Sequence, residues 1–300
     1  MAESVTEMEK RGFFRPPRVD WKKAILETLR ATYRHDCTDA AAAMAFDFVF
    51  AIFPGILIMT ALLGAMNISP SAFNGMLESM GIVVPGPLLI IIEENVLHLW
   101  ESSHSLFFIG ILGVIWPASA SMSTTMSALN RAYGVEEKRP FWHRRVLSIV
   151  LVIGFGLSLV FLFNLIVFGK QVEGWMRLHW AFYRHFPSLA GGLRRFGTIF
   201  GTIGVVASIY HLVTGARQRW VDVLPGSLLF FLIWSLITVG FRYYVQNFGY
   251  YNVVYGVLGA VIVTLLSAYL VAFILLFGGE LNAVLFRMRG GMDSRDQVGH

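Results

Sequence analysis

Residues 253–278 read VVYGVLGAVIVTLLSAYLVAFILLFG and include no charged side chain. An α-helix rises about 1.5 Å per residue, so about 20 apolar residues cross the roughly 30 Å hydrocarbon core of a bilayer. This segment is long enough, and its continuous apolar run differs from the two-residue alternation of a barrel strand. It therefore predicts a transmembrane helix.

Five further segments have the same character, and the chain is predicted to be an all-α polytopic membrane protein. The six predicted spans are Ala40–Met66, Leu106–Ala128, Val146–Phe168, Phe196–Thr214, Val223–Gln246 and Val253–Gly278, and within them only Asp47 and Arg242 are charged. The chain of 300 residues is 56% hydrophobic and 14% charged, against about 25% charged in a typical soluble domain. This composition argues against a disordered chain, an ordinary nucleic-acid-binding domain and most soluble enzymes.

Loop charges predict how these helices are oriented. Eighteen Lys and Arg residues lie in the N-terminal segment, the second and fourth connections and the C-terminal tail. Five lie in the third connection, residues 169–195, and the first and fifth connections contain none. Since cytoplasmic loops carry the excess of Lys and Arg, both termini are predicted to be cytoplasmic. The chain then divides into a cytoplasmic segment 1–39, a transmembrane domain 40–285 and a cytoplasmic tail 286–300.

Two segments outside the spans are predicted to be helical. Trp21–Arg34 places apolar residues on one face and basic residues beside them, as is typical of an amphipathic helix at the inner membrane interface. That apolar face carries Trp21, Ile25, Leu29, Thr32 and Tyr33, with Lys22, Lys23 and Arg30 beside it. Residues 67–105 contain a Pro-Gly-Pro break followed by apolar residues at helical spacing. This predicts a helix on the outer face, which either covers the bundle or simply lies at the interface.

Asp47 is a carboxylate about 11 Å below the inner boundary of the first span, if that helix begins at Ala40. A charge at such depth is costly and is a functional-site hypothesis by default. One interpretation is a proton- or cation-responsive site in a water-accessible cavity, and the other is a structural hydrogen bond to a neighbouring helix. Arg242 is predicted to differ from it by about 18 Å in depth, so we expect no salt bridge between them.

Prolines are predicted to break the first span at Pro54-Gly55 and the second at Trp116-Pro117. The second half of the second span is rich in hydroxyls, namely Ser119, Ser121, Ser123, Thr124, Thr125 and Ser127. Hydroxyls can satisfy the carbonyls that proline frees or line a polar path, so we expect a polar cavity near these helices. The fourth span has a face of small residues, Gly197, Gly201, Gly204 and Ser208, which is interpreted as a helix-packing surface.

Sequence signatures of enzymes are missing. No HExxH, Walker A or GxSxG motif occurs, and the single cysteine, Cys37, excludes an internal disulfide and a Cys-based metal site. We therefore expect no catalytic residues, no cofactor, no metal and no nucleic-acid partner. An intramembrane enzyme is the weaker alternative.

Short motifs follow one another at defined spacings between about Glu27 and Leu285. They are Ala41-Ala42-Ala43-Met44-Ala45-Phe46 leading to Phe53-Pro54, Trp116 with Ala118-Ser119, Leu129-Asn130-Arg131-Ala132-Tyr133-Gly134, Arg139 before Phe141-Trp142, Leu224-Pro225-Gly226, Asn247-Phe248-Gly249, Tyr251-Asn252-Val253-Val254-Tyr255-Gly256 and Gly279-Glu280-Leu281-Asn282-Ala283. In this order they resemble the YihY/BrkB family of bacterial inner-membrane proteins, formerly labelled ribonuclease BN. Asp47 and Ser267 depart from the family pattern, which more often has an aromatic or small polar residue and a tryptophan there.

The resemblance implies a six-helix protein of the bacterial inner (plasma) membrane, whose relatives have been linked to envelope integrity, export and lipid handling. The polar residues of interest within the matched motifs are Asn130, Arg131, Asn252, Tyr255, Glu280 and Asn282. Glu280, at the inner end of the last span, is predicted to pair with Arg131, Arg144 or Arg217. No carboxylate or histidine cluster in the sequence supports the ribonuclease label.

The leading functional hypothesis is a transporter or lipid-handling protein, with membrane lipids as partners and a small solute, ion or lipid as substrate. The alternative is a non-catalytic structural or assembly role in the cell envelope, with a second copy or an envelope protein as partner. A laterally open groove would indicate a lipid, and a closed central cavity a water-soluble solute. A tightly packed bundle with a large exposed outer patch would indicate the structural role.

Overall fold

The computed structural model describes residues 20–65, 105–136, 139–167, 187–216, 218–247 and 251–289. Within these residues the chain forms α-helices joined by turns, and no β-strand occurs there. In chain order the helices are α1 (Trp21–Arg34), α2 (Cys37–Ala65), α3 (Ser105–Ala132), α4 (Phe141–Val167), α5 (Pro187–Val213), α6 (Trp220–Asn247) and α7 (Tyr251–Met288). The predicted all-α fold class is confirmed.

Four of these helices carry stretches that are long and apolar enough to cross a membrane. They are Phe141–Ser158, Phe196–Val213, Trp220–Gly240 and Val261–Met288, in α4 to α7. The first two predicted spans lie mainly in α2 and α3, which are 29 and 28 residues long. The chain is therefore an all-helical, multi-pass membrane protein, while the count of six spans and the orientation of the termini stay predictions. The predicted outer-face segment falls almost wholly outside the described residues.

The prediction that prolines break α2 and α3 is wrong. α2 continues through Pro54 and α3 continues through Pro117. Pro54 packs against Gly113 of α3, where an added Cβ would lie only 2.7 Å from the proline Cβ. The glycine leaves room for the ring, and a proline removes one backbone hydrogen bond rather than a whole turn. The two helices therefore stay continuous and approach closely at this point.

The buried core lies among α2 to α7, and α1 is attached to its edge. The core cluster includes Met44, Met126, Phe155, Tyr210, Val223 and Leu276. α1 instead buries Ala24 and Ala31 against Leu281, Val284 and Leu285 of α7. Because the contacting residues of α1 are small, its backbone approaches the end of α7 closely.

One end of the bundle gathers four chain segments, and we call it the junction end. These segments are the α1–α2 turn, the end of α3, the α5–α6 connection with the start of α6, and the end of α7. Arg287 of α7 donates to the carbonyl oxygen of Ala132 at 3.3 Å, and Arg289 forms an ion pair with Asp222 of α6 at 3.0 Å. The end of α7 thus contacts both α3 and α6 here.

Candidate functional site

Glu280 of α7 is a carboxylate buried at the junction end, with 1% of its surface exposed. His35 Nδ1 in the α1–α2 turn lies 2.6 Å from Glu280 Oε1, and Cys37 Sγ donates to the same oxygen at 3.6 Å. The other carboxylate oxygen, Oε2, is buried and has no hydrogen-bond partner among the described residues. A buried carboxylate is costly unless it is paired and hydrogen-bonded, so His35 is the group that makes this position tolerable.

Among the described residues Glu280 pairs with His35, and no ion pair with Arg131 or Arg144 is found there. Arg131 is exposed at the end of α3, and Arg144 donates to a hydroxyl of α3 at 3.2 Å. Arg217 lies outside the described residues. The turn between α1 and α2 consists only of His35 and Asp36, and it brings the His35 ring to the Glu280 carboxylate of α7.

Burial keeps the thiol and a phenol at the junction end protonated. It raises the pKa of Cys37 to about 12, and the adjacent Glu280 carboxylate adds to the shift while Arg131 opposes it. Burial also raises the pKa of Tyr133, with Asp222 and Glu280 adding to it. Cys37 therefore acts as a hydrogen-bond donor, since nucleophilic cysteines need a lowered pKa.

Asn282 of α7 is fully buried and bridges to the backbone of α6. Its Oδ1 accepts a hydrogen bond from the Gly226 N–H at 2.7 Å, and its Nδ2 donates to the Val223 carbonyl at 3.1 Å. These backbone groups flank Pro225, which lies inside α6 and has no N–H to give. The Leu-Pro-Gly motif of α6 and the Gly-Glu-Leu-Asn motif of α7 therefore meet in space.

Glycines make the crossing of α6 and α7 close. An added Cβ at Gly278 would lie 2.5 Å from the Tyr210 hydroxyl oxygen and 2.8 Å from the Gly226 carbonyl oxygen. An added Cβ at Gly279 would overlap the side chain of Leu129. The Tyr210 hydroxyl donates to a carbonyl oxygen of α7 at 2.7 Å. Small residues at such crossings let helix backbones approach, and the approach brings Asn282 within reach of α6.

Asn130 ties the end of α3 to the α5–α6 connection. Its Oδ1 accepts from the Gly215 N–H at 2.9 Å, and its backbone carbonyl accepts from the Val135 N–H at 2.9 Å. Gly134 ends α3 in the left-handed conformation with a φ of 66°, which favours glycine. The Leu129–Gly134 motif is thus a capped helix end cross-linked to its neighbour.

Four predicted site residues therefore lie at the junction end, namely Asn130, Arg131, Glu280 and Asn282. Asn252 and Tyr255 belong to the first turns of α7, at the opposite end of that helix, and their side chains lie outside what the structure describes.

Asp47, Trp116 and Ser119 belong to a second group, on α2 and α3, around Arg145 of α4. The Arg145 guanidinium lies 4.3 Å from the centroid of the Trp116 ring and donates to the Trp116 carbonyl at 2.8 Å. The Ser119 hydroxyl donates to the same carbonyl at 2.9 Å. Arg145 also interacts electrostatically with the half-buried Asp47. Asp47 thus has a basic neighbour, Arg145. The sequence pointed only to Arg242 as a possible partner, and Arg242 was excluded by its depth in the membrane.

Hydroxyls in the second half of α3 bond the backbone of their own helix. Thr124, Thr125 and Ser127 donate to carbonyl oxygens four residues earlier, at 3.2, 2.9 and 3.0 Å. Ser119 and Ser123 are buried with Thr125. These hydroxyls therefore bond carbonyls of their own helix, and the Gly113 carbonyl that Pro117 frees is not among these acceptors. A polar path along α3 stays a prediction.

A groove of about 740 Å³ lies between α4, α5 and α6. It is lined by Phe155, Leu157 and Ser158 of α4, by Gly197, Gly201, Gly204, Val205, Ala207 and Ser208 of α5, and by Trp220, Val221 and Leu224 of α6. The groove is open on one side rather than enclosed, and its walls are mostly apolar. Its two serine hydroxyls donate to carbonyls of their own helices at 2.9 and 2.7 Å.

The small-residue face of α5 lines this groove, so its interpretation as a tight packing surface does not hold. Gly204 is exposed, and an added Cβ there would meet nothing within 4 Å. Small residues let helices approach closely only where a neighbouring helix fills the space beside them. Here that space is part of the groove, whose other lining residues include Phe155 of α4 and Trp220 of α6.

Comparison with known proteins places this architecture in a family. The family profile for virulence factor BrkB matches residues 28–298. The chain belongs to the virulence factor BrkB family. The matched region contains the residues of both the junction end and the groove.

Named relatives show the same relationship. YfkH of Bacillus subtilis (strain 168), named ribonuclease-like, is 26% identical over 85% of this chain and 92% of its own length. A UPF0761 membrane protein of Tolumonas auensis is 26% identical over 59% of this chain and 57% of its own length. Another UPF0761 membrane protein, from Ralstonia nicotianae, is 25% identical over 88% of this chain and 58% of its own length. The BrkB-family chain thus spans little more than half the length of these two UPF0761 proteins. No solved structure matches it.

The ribonuclease-like name of YfkH directs attention to metal sites. Within the described ranges, no group of three or more His, Cys, Asp or Glu side chains could hold a metal ion.

Proposed function

We propose that this BrkB-family protein handles membrane lipids by taking a lipid acyl chain into the groove between α4, α5 and α6. The observation that carries the proposal is that the groove is apolar and open on its side. A lipid chain can enter such a groove directly from the bilayer. A water-soluble solute would instead need several polar groups directed into its site.

The dimensions of the groove suit an acyl chain. Gly197 and Ser208 line it from positions eleven residues apart on α5, which is about 16 Å along the helix. Lipid tails are as apolar as the groove, so the hydrophobic effect gives no preference for it over the bulk bilayer. Preference has to come from packing along the smooth glycine surface and from contacts to the headgroup.

Trp220 provides a position for the headgroup. It begins α6 at the junction end, is half exposed, and stacks on His211 with ring centroids 4.2 Å apart. Tryptophan at a helix end is typical of the level of the lipid headgroups. A chain in the groove would leave its headgroup beside Trp220 and the exposed Arg219.

The test is crosslinking with a phospholipid that carries a photoreactive group at the end of an acyl chain, in proteoliposomes of the purified protein. We expect labelled peptides from the groove-lining parts of α4 and α5. Gly204→Leu should reduce this labelling several-fold, because its side chain would occupy the open space.

Gly240→Leu is the matched control. Gly240 is also an exposed helical glycine whose added Cβ meets nothing within 4 Å, but it does not line the groove. The two substitutions gain the same helix propensity of about 1 kcal/mol, so a difference in labelling reports occupancy of the groove. Equal labelling of wild type, Gly204→Leu and Gly240→Leu would mean ordinary boundary lipid and would overturn the proposal in favour of an envelope assembly role.

We also propose that the protein lies in the bacterial inner membrane with six spans and both termini in the cytoplasm. The loop charges support this orientation. A C-terminal green fluorescent protein fusion should fluoresce and a C-terminal alkaline phosphatase fusion should be inactive. The reverse result would overturn the orientation.

Absence of catalysis is part of the same proposal. Purified protein incubated with RNA and Mg²⁺ or Mn²⁺ should leave the RNA intact. Cleavage that copurifies with the protein through two different affinity tags would contradict it.

A further inference from the structure

α1 presents three different faces, and only one of them packs on the bundle. Its buried face carries Ala24, Thr28, Ala31 and Thr32. Its large apolar residues are exposed, with Trp21 at 54%, Ile25 at 53%, Leu29 at 53% and Tyr33 at 89%. The basic face carries Lys23, Arg30 and Arg34, all of them exposed. At about 100° per residue, the centres of these faces lie roughly 100–140° apart around the helix.

This arrangement refines the amphipathic pattern of the sequence. Thr32 belongs to the buried face, is 7% exposed, and donates to the Thr28 carbonyl at 2.8 Å. The small residues hold α1 against α7, and the larger apolar ones face away from the protein. An exposed apolar face of this size needs an apolar medium, and at the end of a membrane bundle that medium is the bilayer.

Charge identifies the kind of bilayer surface. α1 and its N-cap contain four basic residues, Lys22, Lys23, Arg30 and Arg34, against the acidic Asp20 and Glu27. The exposed Trp220 lies at the same junction end, at the start of α6. The exposed Phe141 and Trp142 lie at the start of α4, where Arg144 donates to Ser127 near the end of α3. Aromatic rings and basic side chains at one level are typical of a membrane–water interface.

We infer that α1 lies in the membrane interface at the junction end and binds a surface of anionic phospholipid. Ile25 and Leu29 enter the boundary between headgroups and acyl chains, and Lys23 and Arg30 contact the headgroups. The small-residue face holds this lipid-binding helix to α7. The inference does not depend on the groove and stands whether or not the groove binds an acyl chain.

The test places a nitroxide label at Leu29→Cys or, as the matched control one residue later, at Arg30→Cys. Cys37 is 1% exposed, so it will resist labelling in the folded full-length protein. Accessibility to oxygen, which concentrates in the bilayer, and to a water-soluble nickel complex is then measured in proteoliposomes of phosphatidylcholine with and without phosphatidylglycerol. We expect the label at 29 to favour oxygen and the label at 30 to favour nickel.

Neutralising the helix tests the lipid charge. Each basic residue near an anionic surface is worth about fivefold in partitioning. Phosphatidylglycerol should therefore move the label at 29 deeper into the bilayer, which raises its oxygen accessibility relative to nickel. Replacing Lys22, Lys23, Arg30 and Arg34 by Gln should abolish this change. Equal nickel accessibility at both positions would overturn the interfacial placement. A label at 29 that is equally deep with and without phosphatidylglycerol would overturn the anionic lipid as partner.

Discussion

Asn282→Ala is the substitution that most directly tests the crossing of α6 and α7. It removes both hydrogen bonds from the amide to the α6 backbone, at 2.7 Å to the Gly226 N–H and at 3.1 Å to the Val223 carbonyl. The Val223 carbonyl keeps the Ser227 hydroxyl at 2.9 Å, and both backbone groups lie inside α6. The expected loss is therefore that of two buried hydrogen bonds, plus the packing of a fully buried side chain.

A buried hydrogen bond contributes about 0.5–1.5 kcal/mol, and hydrogen bonds between helices inside membrane proteins average about 0.6 kcal/mol. We expect Asn282→Ala to lower the free energy of unfolding by about 2 kcal/mol, which is roughly a 30-fold change in the unfolding equilibrium. The control is Ser227→Ala, which removes the other bond to the same carbonyl, orphans nothing, and should cost less than about 1 kcal/mol.

The assay is reversible unfolding in mixed micelles with increasing SDS, followed by far-UV circular dichroism. Parallel slopes for wild type and variants would allow the free energies to be compared directly. The reasoning is refuted if Asn282→Ala costs no more than Ser227→Ala, because the amide would then contribute nothing beyond an ordinary hydroxyl.

Three further predictions concern other positions. Because the pKa of Cys37 is raised to about 12, its folded-state stabilisation is complete below the pKa of the unfolded thiol, about 8.5. Stability should thus fall as pH rises above about 9, and Cys37→Ala should flatten this part of a thermal-melt series. Gly278→Ala should destabilise by about 1–3 kcal/mol in SDS titrations, through overlap with Tyr210, while Gly240→Ala should be neutral or stabilising. Asp47→Asn should leave photoreactive lipid labelling unchanged, since Asp47 does not line the groove, and a several-fold loss would contradict this.

Helices and their membrane character could be predicted from the sequence, because apolar runs of about 20 residues have few other solutions. Proline breaks were predicted wrongly in α2 and α3. The rule that proline interrupts a helix considers only the helix itself and not the neighbouring helix that packs against it. Gly113, which makes room for Pro54, is far away in sequence.

The sequence indicated which polar residues lie at the junction end, but it did not predict what each of them contacts. Asn130 and Asn282 stand in polar motifs, but their backbone partners are 85 and 56 residues away. Nothing in the sequence around His35 predicted a role for it. Its role depends on Glu280, which only the folded chain brings near. The groove was missed for a similar reason. Small residues on α5 look the same in sequence whether a neighbouring helix fills the space beside them or not.

The contact between His35 and Glu280 joins positions 245 residues apart. At about 5–20 residues per second, His35 is synthesised roughly 12–50 s before Glu280. Over that interval α1 has no end of α7 on which to bury Ala24 and Ala31. Docking of the first helix is therefore one of the last events in biogenesis. A protease site in the α1–α2 turn would report completion of the chain, being cut in nascent or truncated forms and protected once the last helix is in place.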